Sequence, residues 1–246
     1  MDSSELMHHF TVDCVIFGMD SHDLSVLLVQ REFQDPENPS TIIKDYKFPG
    51  NFVSFSEDLD VAALRVLKEL TGISDIYLEQ FRTFGSLSRL NNPNDRAWLK
   101  TVLPIELKRI LTVAYFALIP IEKAEQENLS SRAFWFKLSD LPPLPFDHPE
   151  ILKSAQEAVL SKLYKDPIVY ELLPEKFTLT QLQKSYEGII GQALDKRNFR
   201  KRVSNLPYLF PLDEWQQKVA HKPARLYRFS KNIYEQTKKD NLYFST

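Results

Sequence analysis

The stretch GNFVSFSEDLDVAALRVLKELTGI, residues 50–73, constrains this chain more than any other. Residues 46–53, YKFPGNFV, read as a short strand broken at Pro49-Gly50. From Leu59 the apolar residues Leu59, Ala62, Ala63, Val66, Leu67 and Leu70 recur at helical spacing. Gly72 then supplies the residue type on which helices commonly stop. A strand, a polar loop and an amphipathic helix in that order need further strands to bury the helix.

Those strands are present. FTVDCVIFGMD (10–20) and SVLLVQREF (25–33) read as a hairpin across the turn-prone DSHD. FRTFGSLSRL (81–90) predicts a strand leading into an insertion, NNPNDRAWLKTVLP. ILTVAYFALIP (110–120) and RAFWFKL (132–138) are two more strands, and PEILKSAQEAVLSKLY (149–164) is an amphipathic helix with proline in its first turn. Strands on both sides of one helix, closed by another, predict an α/β/α sandwich over residues 1–166. Beyond Asp166-Pro167 the pattern changes. FTLTQLQKSYEGIIG (177–191) is a helix capped by Thr178 or Thr180, GQALD turns, and DKRNFRKRVSN (195–205) is a second helix. An extended, scattered-basic ribbon follows to Phe229, so residues 167–246 read as a winged helix-turn-helix domain.

Charge separates the same two segments. Residues 167–246 hold 14 Lys+Arg against 8 Asp+Glu, a balance of +6, whereas residues 1–166 hold 17 against 25, a balance of −8. A basic segment joined to an acidic one points to a polyanion-binding module attached to something else. No run of about 18 apolar residues occurs, which argues against a membrane span. MDSSELMHHF does not read as a secretory signal, and Cys14, the single cysteine, suits a reducing cytoplasm. Cys14 lies in an apolar run and reads as core rather than nucleophile.

Within the second helix, Phe199 and Val203 are four apart and face the domain's interior. Lys196, Arg197, Asn198, Arg200, Lys201 and Arg202 are left for the outer faces. Arginine and asparagine bond base edges in pairs, and lysine holds phosphate. Asp195 is a reasonable N-cap. Lys218, His221, Lys222 and Arg225 fall in the ribbon, as a wing along the duplex backbone requires. A solvated charged helix is the plainer alternative; the turn, the asparagine and the ribbon together favour double-stranded DNA.

Residues 49–73 resemble a Nudix box, the strand-loop-helix motif of hydrolases that cleave nucleoside diphosphates linked to another group. Asn51 stands where that motif has glycine, Glu57 at its first glutamate and Arg65 at its arginine. Val66, Glu69 and Leu70 occupy the three helix glutamate positions, and Gly72-Ile73 close the motif. Magnesium needs several oxygen ligands, and valine and leucine offer none. No catalytic residue, metal or cofactor is therefore assigned, and Glu57 with Arg65 reads as an ion pair joining loop to helix. FTLTQLQKSYEGIIGQALDKRNFRKRV, KPARLYRF and PLPFDHPEIL (143–152) are similar to the Nudix-related transcriptional regulators. That resemblance implies a dimer binding a palindromic operator, with a metabolite in the Nudix-like domain. Its arabinose-responsive branch in gut Bacteroidetes looks most similar, which implies a repressor of sugar-use genes with L-arabinose as effector. An ADP-ribose sensor of NAD metabolism and a residual pyrophosphatase are the alternatives.

The effector is expected between the strands and the box helix. Asp13 and Lys47 interrupt apolar strands, where a charge needs solvent or a partner. With Glu69 they are expected to meet sugar hydroxyls, with Tyr46 or Phe48 on the ring's C–H face and Arg31 and Asn51 as further contacts. Asp147 is read as a helix cap and His148 as packing at the domain junction.

Overall fold

The computed structural model describes residues 6–243 except 20–22, 104, 106, 127–128, 164–165, 218 and 220–221. The first unit runs β1 (Leu6–Met19), β2 (Leu24–Gln34), β3 (Ile42–Lys47), β4 (Gly50–Ser54), α1 (Leu59–Thr71) and β5 (Glu79–Phe84). It continues through α2 (Pro93–Val102), β6 (Leu111–Pro120), α3 (Ile121–Gln126), β7 (Ala133–Lys137) and α4 (His148–Leu163). β1 is the centre of a mixed sheet ordered β3-β2-β1-β6-β5, with β4 paired to β1 and β7 to β2. It runs parallel to β6 from Phe10↔Leu111 to Met19↔Pro120. Its early residues pair with β4 and its last three with β2.

Alternation along β1 decides what each face of the sheet receives. Val12, Cys14 and Ile16 go to one face, where Ala62, Ala63, Val66 and Leu67 of α1 cover them. Val15, Phe17 and Met19 go to the other, against Ile151, Leu152, Ala155 and Val159 of α4. This is the expected α/β/α sandwich. Asp13 has the parity of the second set and therefore looks away from α1.

Two local readings change. The expected broken strand over 46–53 is two separate strands, β3 and β4, paired to different neighbours. Gly50 opens β4 opposite Asp13, where a Cβ would fall 2.0 Å from Asp13 Oδ1 and 2.8 Å from the Val12 carbonyl. Only glycine lets the chain pass that carboxylate. The strand expected over 81–90 ends at Phe84, and the insertion forms α2, with Asn92 accepting from the Asn94 N–H as its cap.

The winged domain consists of a 3-10 turn (Ile168–Leu172), β8 (Phe177–Thr178), α5 (Leu179–Ile190), α6 (Lys196–Val203), β9 (Leu209–Trp215), β10 (Arg225–Phe229) and α7 (Lys231–Tyr243). Its sheet is ordered β8-β10-β9. Thr178 and Gln181 form a reciprocal capping box on α5, and Gly191 ends that helix at φ 74°. Val169, Phe177, Leu182, Phe199 and Val203 are among its buried core. The expected boundary at 166/167 falls between α4 and the 3-10 turn. Leu163, at the end of α4, packs on the winged core. The Ser185 hydroxyl of α5 donates to Met19 Sδ at 2.9 Å, so α5 rests on the end of β1.

Candidate functional site

The Nudix-like helix α1 has the expected outline and a structural use. Val66 is fully buried in the core, and Leu70 packs against it. Arg65 donates to both oxygens of Glu57, at 2.8 and 2.6 Å, to the Phe52 carbonyl at 3.1 Å and to Glu69 at 3.0 Å. The Arg65 hydrogen bond, foremost, holds the Glu57 carboxyl below its ordinary range. Glu57 thus pins the loop to the helix, as expected. Among the described residues no three His, Cys, Asp or Glu side chains gather as a metal site.

The polar centre lies on the opposite face of the sheet, under α2 and beside the start of α4. Thr11, Asp13, Lys47, Asn51, Arg89 and His148 supply the polar lining of a small cavity, with Gly50 between Lys47 and Asn51. Phe52, Trp98, Leu99, Ile110 and Phe146 supply its apolar lining. The space they leave is about 30 Å³, room for little more than a water.

Arg89 and His148 are paired across long stretches of sequence, and Lys47 locally. Arg89 donates to Asp13 at 2.8 Å and also to Asp147, and all three side chains are buried or nearly so. Lys47 donates to the carbonyls of Phe48 and Gly50 at 2.9 and 2.7 Å. His148 Nδ1 accepts from the Phe48 N–H at 3.2 Å, which turns Nε2 toward Asp13 Oδ1, 3.6 Å away. Burial works against the charge of Asp13, yet His148, Arg89 and Lys47 outweigh it and hold the carboxyl below its usual range. Burial likewise lowers Lys47 to about 8 and, with the surrounding cations, His148 to about 3. Burial raises the Asp147 carboxyl despite Arg89. One of its oxygens, Oδ2, is buried without a hydrogen-bond partner.

Of the seven side chains expected at an effector, the cavity gathers Asp13, Lys47 and Asn51. The other four are corrections. Arg31 is buried outside the cavity, paired with Asp45 and Asp95. Tyr46 packs edge-on against Phe134 and Phe136. Phe48 lies behind the wall, stacked on His148 at 4.8 Å. Glu69 is half exposed on α1, paired to Arg65, on the wrong side of the sheet. Asp147 and His148 also differ from their reading: Asp147 turns its side chain to Arg89, and His148 belongs to the cavity, not to the domain junction.

Arg89, Trp98, Phe146 and His148 were missed as site residues. Among them only Trp98 had a local signal, the charged and aromatic content of NDRAW in a stretch with no strand pattern; Arg89 fell in the segment read as a strand, and Phe146 and His148 before the closing helix. A larger cavity, about 340 Å³, lies where the domains meet, bordered by Phe116, Tyr77, Ile168 and Lys231. It lacks a comparable convergence of buried charges.

On α6 the local reading holds. Lys196, Arg197, Asn198, Arg200, Lys201 and Arg202 are all exposed, while Phe199 and Val203 are buried. Asp195 caps the helix by accepting from the Asn198 N–H at 2.8 Å. In the wing, Lys222 and Arg225 are exposed, and Arg225 Nε donates to the Leu212 carbonyl at 2.7 Å. Lys218 and His221 lie outside the described residues.

Both halves match known families. Residues 7–155 match the NUDIX domain, and residues 169–229 match the NrtR DNA-binding winged helix domain. The chain is similar to a protein of Acinetobacter baylyi named an ADPR responsive transcriptional repressor, with 34% identity over 92% of this chain and 83% of that one. It is also similar to Shewanella oneidensis NrtR in complex with a 27mer DNA: 28% identity, 92% of this chain, 95% of that one, TM-score 0.67. A MutT/nudix family protein of Enterococcus faecalis shares the fold at 24% identity, covering 90% of this chain and 86% of that one, with TM-score 0.60. The two domain matches and the Acinetobacter baylyi relative meet in one assignment: the chain belongs to the Nudix-related, NrtR-type family of ligand-responsive transcriptional regulators.

Proposed function

We propose that this repressor senses a polyhydroxylated ring in the cavity under α2, and that the occupied cavity changes how two copies of α6 meet an operator. The observation that carries the reading is the Asp13–Arg89–Asp147 bridge. Asp13 is a cavity wall, and Asp147 immediately precedes α4, which ends at Leu163 on the winged core. A ring hydroxyl that takes one of Arg89's acceptors alters the hold on Asp147 and so the seating of α4. Such a switch requires the effector to prefer one domain arrangement over the other.

The first reading of the effector is ADP-ribose, whose terminal ribose would supply the ring. Its support is the Acinetobacter baylyi relative, similar across both domains. The second is a free pentose such as L-arabinose. No relative supports L-arabinose; what favours a small ligand is the cavity itself, which is tight and whose cations already have acceptors. Lys47 and Arg89 are each held internally, leaving a diphosphate little to bind. In either reading the chain acts as a homodimer that does not hydrolyse its ligand.

Calorimetric titration without magnesium tests the pair. Saturable ADP-ribose binding with release of operator DNA supports the first reading, and L-arabinose binding alone supports the second. Phosphate or nucleotide release on adding magnesium would restore a hydrolase and overturn both. Sedimentation as a monomer at operator-binding concentrations would remove the dimer.

A further inference from the structure

We infer that Trp98 is the specificity-determining residue of the effector cavity, and that α2 is the element that carries it; this rests on the polyhydroxylated-ring reading above. The cavity lining is divided between polar side chains and the apolar Phe52, Trp98, Leu99, Ile110 and Phe146. A sugar ring is divided in the same way, with hydroxyls along its edge and C–H groups on its faces. A linear polyol offers the same hydroxyls without a rigid apolar face. The apolar wall therefore decides which polyol fits, and Trp98 is its largest side chain.

Trp98 is placed with care by its helix. Asp95, fully buried in the first turn of α2, accepts from Arg31 at 2.6 Å and from the Phe146 N–H at 2.8 Å. Leu99 and Leu103 pack with Phe52, Leu90 and Ile110 in a small core of their own. Between these anchors, the Trp98 indole lies 5.2 Å from the Lys47 ammonium and 6.0 Å from the Phe146 ring. Trp98 thus borders the cavity while holding Lys47, one of its polar groups, by a cation–π contact. About 30 Å³ does not admit a ring. Admitting one needs α2 to shift, which gives up the Asp95 bonds to Arg31 and the Phe146 N–H and opens the small core around Leu99 rather than the two larger ones.

The test measures binding of L-arabinose, of its open-chain alcohol L-arabitol, and of ADP-ribose. The proteins are wild type, Trp98→Phe and Trp98→Leu. The expected result is that Trp98→Leu weakens the ring ligand by about tenfold or more and narrows the preference for ring over open chain. Trp98→Phe should stay within a few-fold, because an aromatic contact is worth roughly that order. Operator affinity without effector should be unchanged in both. The chain has three tryptophans. With Trp135→Phe and Trp215→Phe in place, Trp98 alone should change its emission on binding.

If Trp98→Leu binds and discriminates like wild type, and the Trp98 emission ignores the ligand, the assignment is overturned while the ring reading stands. If the wild-type protein binds neither ADP-ribose nor L-arabinose, the reading itself falls and Trp98's role with it. Loss of operator binding in Trp98→Leu alone, with Trp98→Phe normal in every assay, would make the residue a fold anchor and also overturn the assignment.

Discussion

Helix α6 and the cavity under α2 are both rich in charge, but they treat it oppositely. α6 leaves six polar side chains in water and buries only Phe199 and Val203. The cavity buries Asp13, Lys47, Arg89 and His148, each at 6% exposure or less, and pairs all but Lys47 with groups far away in sequence. A surface that reads DNA must keep its donors available. A pocket that selects one metabolite must spend its donors on each other until the ligand arrives. The consequence is that charge on α6 should matter for binding and hardly for folding, whereas charge in the cavity should matter for both.

Arg89 gives the largest expected contrast. Arg89→Leu leaves Asp13 and Asp147 buried without their cation, a change that costs about 3–5 kcal/mol when one partner of a buried pair is removed. Urea denaturation should show it, whereas Arg197→Ala on α6 should stay within about 0.5 kcal/mol of wild type. Equal stabilities for the two variants would dissolve the comparison.

Operator binding should reverse the order. Arg197→Ala is expected to weaken specific operator binding by ~1–3 kcal/mol, and the salt dependence becomes shallower if Arg197 meets phosphate rather than a base. Calorimetry should find its effector affinity unchanged. An Arg197→Ala protein that binds operator normally would remove α6 from the interface.

The same contrast explains what could be read in advance. On α6 the proposed DNA contacts lie in residues 195–203, so one helical period separates the buried pair from the exposed six. The sandwich was legible for a similar reason: its strands and helices carry their own periods. The cavity was half legible. Asp13 and Lys47 stood out because a charge inside an apolar strand needs a partner, but the same argument selected Arg31, whose partners are Asp45 and Asp95 outside the cavity. Glu69 was chosen because the box helix was expected to face the ligand, and the parity of β1 puts Asp13 on the other face of the sheet. Arg89 reaches Asp13 across 76 residues and Asp147 across 58, and no period records such pairings.

Asp147→Asn sharpens the link between the two regions. It keeps the shape of the side chain and removes its charge, and the orphaned buried oxygen can become a donor. Effector affinity is expected within a few-fold of wild type. The effector's influence on operator affinity should fall by about tenfold, ~1.4 kcal/mol, a typical coupling between sites. Mobility-shift titrations with and without effector measure it. Undiminished coupling would mean that α4 is not the route from cavity to winged domain.

The smallest expected effect is a pH dependence confined to the cavity. His148 accepts the Phe48 N–H at Nδ1, so protonating that nitrogen breaks a buried hydrogen bond as well as burying a charge. Its pKa is lowered, chiefly by burial, from 6.5 to about 3, so the unfolded chain binds this proton more readily than the native one. His148's contribution is therefore fully present above 6.5 and erodes as pH falls toward 3. Over the first pH unit below the unfolded value the loss is about 1 kcal/mol. His148→Phe, which keeps a ring on Phe48, should flatten that part of the stability curve. Variants of α6 should leave it alone, because their charges stay in water whether the chain is folded or not. A wild-type curve as flat as that of His148→Phe would mean that water reaches the imidazole, and the cavity would then be no more closed than the surface of α6.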